Sequence, residues 1–215
     1  MSTQVKLKGQ GRVFQNPILE SFTKSSPLES TLSSLTIAGV CIWMGKALGA
    51  GFSFWNIFWY FIAGIIFWTL AEYALHRYVF HVSDKDFKGG DRFAYVIHGI
   101  HHEYPNDAQR TLMPFLPKLL FSAFFFGLFL LILGNAGAFF ASGFTMGYYF
   151  YSITHYAIHR VKAPQWLKPL WEHHHRHHHL NEDKAFGVSS TLWDRIFNTM
   201  PEKVKNKSKV AEVNN

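Results

Sequence analysis

The chain has 215 residues, room for one domain, and is 48% hydrophobic and 18% aromatic but only 16% charged, too few charges to cover an ordinary soluble surface. Its 21 Lys and Arg against 14 Asp and Glu give a net charge of +7, yet 22 Phe in long uncharged runs point to lipid rather than nucleic acid. The composition excludes intrinsic disorder, and the single cysteine, Cys41, excludes an intramolecular disulfide scaffold.

Residues 1–29 are polar, carry Lys6, Lys8, Arg12 and Lys24 without an apolar signal segment, and are expected to be a cytosolic N-terminal segment. Beyond them, charged residues leave three wide gaps. Glu29 to Lys46 encloses sixteen uncharged residues, Lys46 to Glu72 twenty-five and Lys118 to Arg160 forty-one. A helix crossing a hydrocarbon core of about 30 Å needs roughly 20 residues. The gaps therefore predict four spans, near 30–49, 52–75, 114–133 and 136–155. Pro114 and Pro117 mark the start of the third, and Gly134-Asn135 is the turn into the fourth.

Four Lys and Arg precede residue 30, five lie between Arg77 and Arg110, and ten follow from Arg160 onward. Placing both termini and the central loop in the cytoplasm satisfies the positive-inside rule, with Lys46 at the opposite surface and Lys118 snorkelling to the inner one. Residues 30–200 then form a membrane domain, and 201–215 a mobile C-terminal tail.

The thirteen histidines fall near the cytoplasmic ends of these spans. In HGIHH, a helix sets His101 and His102 within an arc of about 100° on the face of His98, so that the three rings can converge. HYAIH sets His155 and His159 at i, i+4, the spacing of a two-ligand helical metal site. His76 and His81, at i, i+5, need a bend between them or bind different metals. The run WEHHHRHHHL holds two registers of HxxHH, His174/His177/His178 and His175/His178/His179. So many imidazoles exceed the needs of one zinc and suit two metals with about five nitrogen ligands each. Iron with imidazole ligands activates dioxygen where zinc does not, and an apolar bundle implies a substrate with unactivated C–H bonds. Glu72, Glu103, Asp107, Glu172 and Asp194 are candidates to accept the second N–H of a ligand ring.

With EYALHRYVFH at 72–81, HGIHHEYPNDAQRTLMP at 98–114, GYYFYSITHYAIH at 147–159 and LKPLWEHHHRHHHLNEDKAFGVSSTLWD at 167–194, the chain resembles the fatty acid 2-hydroxylase branch of the sterol desaturase and fatty acid hydroxylase superfamily. The resemblance covers roughly residues 12–200. It departs from the family at Ser152, usually Asp, and at Arg160, often His. It implies an all-α integral membrane four-helix bundle with a cytosolic histidine-rich cap over a dinuclear site bound by His76, His81, His98, His101, His102, His155, His159, His174, His177 and His178. The family's spacing to FGV selects that last triplet and leaves His173, His175 and His179 as extras, so that His173→Ala is expected to be nearly silent.

The resemblance also implies oxygen-dependent hydroxylation at C2 of a fatty acyl chain, free or in a sphingolipid or ceramide, at two iron ions, with zinc able to substitute on purification. Another apolar lipid, such as a sterol, carotenoid or alkane, is the alternative substrate class. Some members of the family carry a fused cytochrome b5 domain with an HPGG signature, which does not occur in this sequence. The expected electron donor is therefore a separate ferredoxin or cytochrome b5 type protein, and the expected location is a bacterial inner membrane rather than the endoplasmic reticulum.

Overall fold

A computed structural model describes residues 5–49 and 51–202. Most of the tail expected at 201–215 lies outside the described residues, which are helical with no strand. In chain order they form α1 (Pro17–Ser21), α2 (Pro27–Ala47), α3 (Phe54–Leu75), a π-turn (His76–Phe80), α4 (Gly90–Ala94), a second π-turn (Tyr95–Gly99) and α5 (Ile100–Glu103). These are followed by α6 (Phe115–Leu133), α7 (Ala136–Arg160), a 3₁₀ turn (Gln165–Leu167), α8 (Lys168–His179) and α9 (Leu192–Ile196).

The chain divides into two compact units. One comprises Phe14–Leu70 and Gln109–Ile153, the other the described parts of Met1–Val13, Ala71–Ala108 and Thr154–Asn215. The division falls within α3 and within α7.

In the first unit, α2, α3 and α6 are long and apolar enough to cross a membrane. Pro27 at the first position of α2 and the Ser26 hydroxyl, which accepts from Glu29 N at 3.2 Å, start that helix. Phe54, Trp55 and Trp59 on α3 and Phe124 and Leu131 on α6 are more than 60% exposed, an apolar surface suited to lipid rather than water. α7 differs because it is buried nearly all round from Ala136 to Tyr148. Protein, not lipid, surrounds it, so it tolerates Ser142, Thr145 and three glycines that lower its hydropathy. Ser142 Oγ donates to the Ala38 carbonyl of α2 at 2.9 Å. A β-carbon at Gly143 would meet the Phe61 carbonyl of α3, and one at Gly64 the Phe140 carbonyl of α7, the close approach that small residues permit between membrane helices. Phe144 fills the remaining side, with ring centroids 4.9 Å from Phe125 of α6 and 5.0 Å from Trp68 of α3. The chain is a multi-pass membrane protein.

Lys118 does not snorkel to the surface as its position predicts. It is fully buried, and its Nζ donates to Ser33 Oγ at 2.7 Å and to Ser30 Oγ and Glu29 Oε1 at 3.3 Å. The serines that weaken α2 as an apolar run solvate this ammonium, which otherwise would be costly to bury.

The second unit gathers separated stretches of chain around the histidines. Its N-terminal strap is tied down by Lys6 N to the Glu103 carbonyl at 2.7 Å, by the Lys6–Glu103 ion pair at 2.5 Å and by Gly11 N to Asp107 Oδ2 at 3.0 Å.

Candidate metal centre

The second unit brings ten histidines into two groups of five. In the first, one ring nitrogen from each of His76, His81, His98, His102 and His177 lies within 4.8 Å of all the others; in the second the same holds for His101, His155, His159, His174 and His178. Local backbone explains how each group closes. The π-turn at His76–Phe80 replaces the i, i+4 repeat by i, i+5 and turns His81 toward His76, with ring centroids 5.2 Å apart. That is the bend their spacing requires, and both rings join one group.

The three rings of HGIHH do not converge on one point. His98 and His102, at i, i+4, share the first group with centroids 4.6 Å apart. His101 points away and packs against His155 and His159 at 4.6 Å and His178 at 4.8 Å. The second triplet does the converse: His174 and His178 enter the second group and His177 the first. On a helix i and i+4 lie close to one azimuth, while i+3 falls to the other side. Each HxxHH word thus gives a pair to one group and a single ring to the other. The groups adjoin where His102 stacks on His178 at 4.2 Å.

The nitrogens fit a cation better than a hydrogen-bond network. His98 Nε2 lies 3.0 Å from His76 Nε2 and 2.9 Å from His102 Nε2, and His159 Nε2 lies 2.9 Å from His174 Nε2. One ring proton cannot satisfy three nitrogens about a point, whereas two nitrogens each about 2.1 Å from one ion and at right angles lie about 3.0 Å apart. His81 Nε2, His177 Nε2 and both ring nitrogens of His101 and His178 are buried without a hydrogen-bond partner, an arrangement that is costly unless something takes their lone pairs.

Two rings have their tautomer set by main-chain oxygen. His76 Nδ1–H donates to the Phe186 carbonyl at 2.5 Å and His177 Nδ1–H to the Lys184 carbonyl at 2.7 Å, so the lone pair of each Nε2 faces the first group. Burial, reinforced by neighbouring imidazoles, holds His98, His101, His102, His174, His177 and His178 well below the usual imidazole range. Burial also lowers His81 to about 4, although Asp183 opposes the shift. These rings are neutral, the state in which imidazole binds a metal.

The carboxylates expected to orient these rings act chiefly elsewhere. Glu72 Oε1 accepts Val188 N at 2.6 Å and Ser189 N at 2.9 Å, while its Oε2 accepts the Ser189 hydroxyl. Glu103 serves Lys6 and Tyr95, Asp107 accepts from Gly11 N, and Glu172 pairs with Lys168 at 3.8 Å and Arg176 at 3.9 Å. Asp194 accepts from His173, outside the ten. Sequence reasoning missed the Phe186 and Lys184 carbonyls, which carry no residue signature, and Glu182, whose Oε1 lies 3.9 Å from His102 Nδ1. His173 is not the loose extra ring its register suggests: it is buried, with Nε2 3.0 Å from Asp194 Oδ2. His175 and His179 lie at the outer side of α8, partly exposed, with ring centroids 6.1 Å apart. Arg160 is exposed and donates to the Asn106 carbonyl at 3.1 Å, and Ser152 is buried in the membrane unit.

Residues 61–199 match the family described as fatty acid hydroxylase. The chain is 35% and 31% identical to two dihydroceramide fatty acyl 2-hydroxylases of Arabidopsis thaliana, over 75% and 88% of this chain and 69% and 80% of theirs. It is 36% identical to the ceramide very long chain fatty acid hydroxylase of Saccharomyces cerevisiae, over 89% of this chain and 50% of that protein. The solved structure of full-length Scs7p, in which only the hydroxylase domain is visible, superposes with a TM-score of 0.79 at 32% identity, covering 91% of this chain and 74% of that one. With two buried five-imidazole groups at the centre of the matched region, the chain belongs to the fatty acid hydroxylase family.

Proposed function

We propose that this protein hydroxylates C2 of a fatty acyl chain, free or as the N-acyl chain of a ceramide, using two iron ions held by His76, His81, His98, His102 and His177 on one side and His101, His155, His159, His174 and His178 on the other. The observation that carries this reading is the pair of buried five-histidine groups in a member of a hydroxylase family. Balanced, the reaction takes the C2 methylene, dioxygen, two electrons and two protons to the C2 alcohol and water. A redox-active metal pair supplies the dioxygen activation and the oxidising power for an unactivated C–H bond.

The chain's own residues do the rest. Nitrogen ligands without a first-rank carboxylate keep the ligand set neutral, burial of the rings excludes bulk water, and the Phe186 and Lys184 carbonyls hold two of them in orientation. The termini and the central loop face the cytoplasm of a bacterial inner membrane, in keeping with the distribution of Lys and Arg.

The test is expression in a sphingolipid-making host that lacks its own 2-hydroxylase, followed by mass spectrometry of hydrolysed lipids. The expected product is a 2-hydroxy fatty acid. Its absence from folded, iron-loaded, reduced protein would turn the assignment toward a sterol, carotenoid or alkane. The electrons come from a ferredoxin or cytochrome b5 type donor that meets a chain of net charge +7. Opposite charges speed encounter and salt screens them, so raising ionic strength from 0.05 to 0.5 M is expected to slow reduction by roughly tenfold in stopped-flow traces. A rate indifferent to salt would remove electrostatic docking from this account.

A further inference from the structure

The segment from Lys184 to Ser189 supplies both main-chain oxygens that hold rings of the first histidine group, and it is itself held unusually firmly. Ala185 has φ 61, a left-handed conformation that a residue with a β-carbon keeps only when its surroundings impose it. Here they do. Ala185 N donates to the Thr199 carbonyl at 2.8 Å, and Glu72 takes the amides of Val188 and Ser189.

Between these two anchors stands Asp194, fully buried. Its Oδ1 accepts Phe186 N at 2.9 Å and the Thr199 hydroxyl at 2.7 Å, and its Oδ2 accepts Gly187 N at 2.8 Å and His173 Nε2–H at 3.0 Å. The Phe186–Gly187 peptide is thus gripped at its N–H, that of Gly187, by Asp194 Oδ2, and its carbonyl, that of Phe186, takes the Nδ1 proton of His76. His173 sits on α8 directly before His174 and sends its ring to Asp194 instead of to either group.

We propose that Asp194 and His173 are a positioning pair for the first metal site. By fixing the Phe186 and Gly187 amides they aim the Phe186 carbonyl at His76, set the tautomer that leaves its Nε2 lone pair on the metal, and raise affinity at the first group without affecting the second. The inference rests on the two-metal reading above. Both carbonyls that this segment presents meet rings of the first group, Phe186 O at His76 and Lys184 O at His177, which is why the effect is assigned to that site.

The experiment uses the full chain in detergent, stripped of metal and titrated with Co(II) against a chromophoric chelator. The wild type is expected to take up two equivalents. In His173→Ala and Asp194→Asn one equivalent is expected to weaken by about 10–100-fold, the range for partners of ligating histidines, while the other keeps its affinity. His173→Gln, whose amide N–H can still reach Asp194, is expected to recover most of the loss, and His175→Ala to leave both sites unchanged. Unaltered affinities in His173→Ala and Asp194→Asn, or equal weakening of both equivalents with a lowered Tm, would overturn the positioning role. If Asp194→Asn fails to fold, the two His173 variants decide alone. A wild type that binds fewer than two equivalents would sink the two-metal reading itself, and the inference with it.

Discussion

His98→Ala, His102→Ala and His177→Ala are each expected to empty one of two metal positions, and His101→Ala, His174→Ala and His178→Ala to empty the other. All six are expected to lower 2-hydroxy acid formation by more than about 100-fold, beyond the range seen when only an outer partner of a ligand is lost. Elemental analysis of the purified protein and mass spectrometry of the lipid product measure the two effects separately. The sharper arm is a pair of double variants. His98→Ala with His177→Ala strikes a single group through two different motifs, so one metal should remain. His98→Ala with His101→Ala strikes a single motif but both groups, so none should remain tightly bound. Retention of one equivalent by the second double variant would mean that each HxxHH word serves one metal, contrary to the division of rings.

Acid is expected to destabilise the metal-free protein steeply. His81, His98, His101, His102, His174, His177 and His178 are all held below the ordinary imidazole value of 6.5, His81 at about 4. As pH falls from 6.5 toward 4, the unfolded chain binds protons at these rings and the folded one does not, so folding loses free energy with each step down and regains it on the way back up. Several such rings act together, so the loss steepens with each proton that the unfolded chain takes up and the folded one refuses. Near-UV circular dichroism of stripped protein should therefore show loss of tertiary structure between pH 6.5 and 4 with a proton dependence above first order. Saturating Zn(II) should move the transition to lower pH, because the metal binds only the folded, neutral rings. A transition that depends on a single proton, or one indifferent to metal, would contradict the burial of uncharged rings.

The membrane character and the helical architecture of this chain were legible because both follow from one-dimensional patterns. The uncharged gap from Lys46 to Glu72 holds α3, long and apolar enough to cross a membrane, and in the gap from Lys118 to Arg160 Gly134, at φ 58, marks the expected turn. The histidines declared themselves by density and spacing, and the ten named from sequence are those that the fold gathers into two sets. What spacing alone did not decide was which ring faces which set. HGIHH allows three rings on one broad face, and only the partner helices select His98 and His102 for one group and His101 for the other. The π-turn that aligns His76 with His81 is a matter of one displaced hydrogen bond, invisible to a regular helical wheel.

Lys118 read as a surface lysine because its solvating serines lie on another helix, 85 to 88 residues away in sequence. The Phe186 and Lys184 carbonyls were beyond reach for a deeper reason: every residue carries the same main-chain oxygen, and only tertiary packing distinguishes one from the next. Local sequence thus determined the helices, their solvent and the supply of imidazoles. The tertiary structure decided the partition of those imidazoles, the burial of His173 on Asp194 and the orientation of the rings, since each depends on atoms that distant segments bring together.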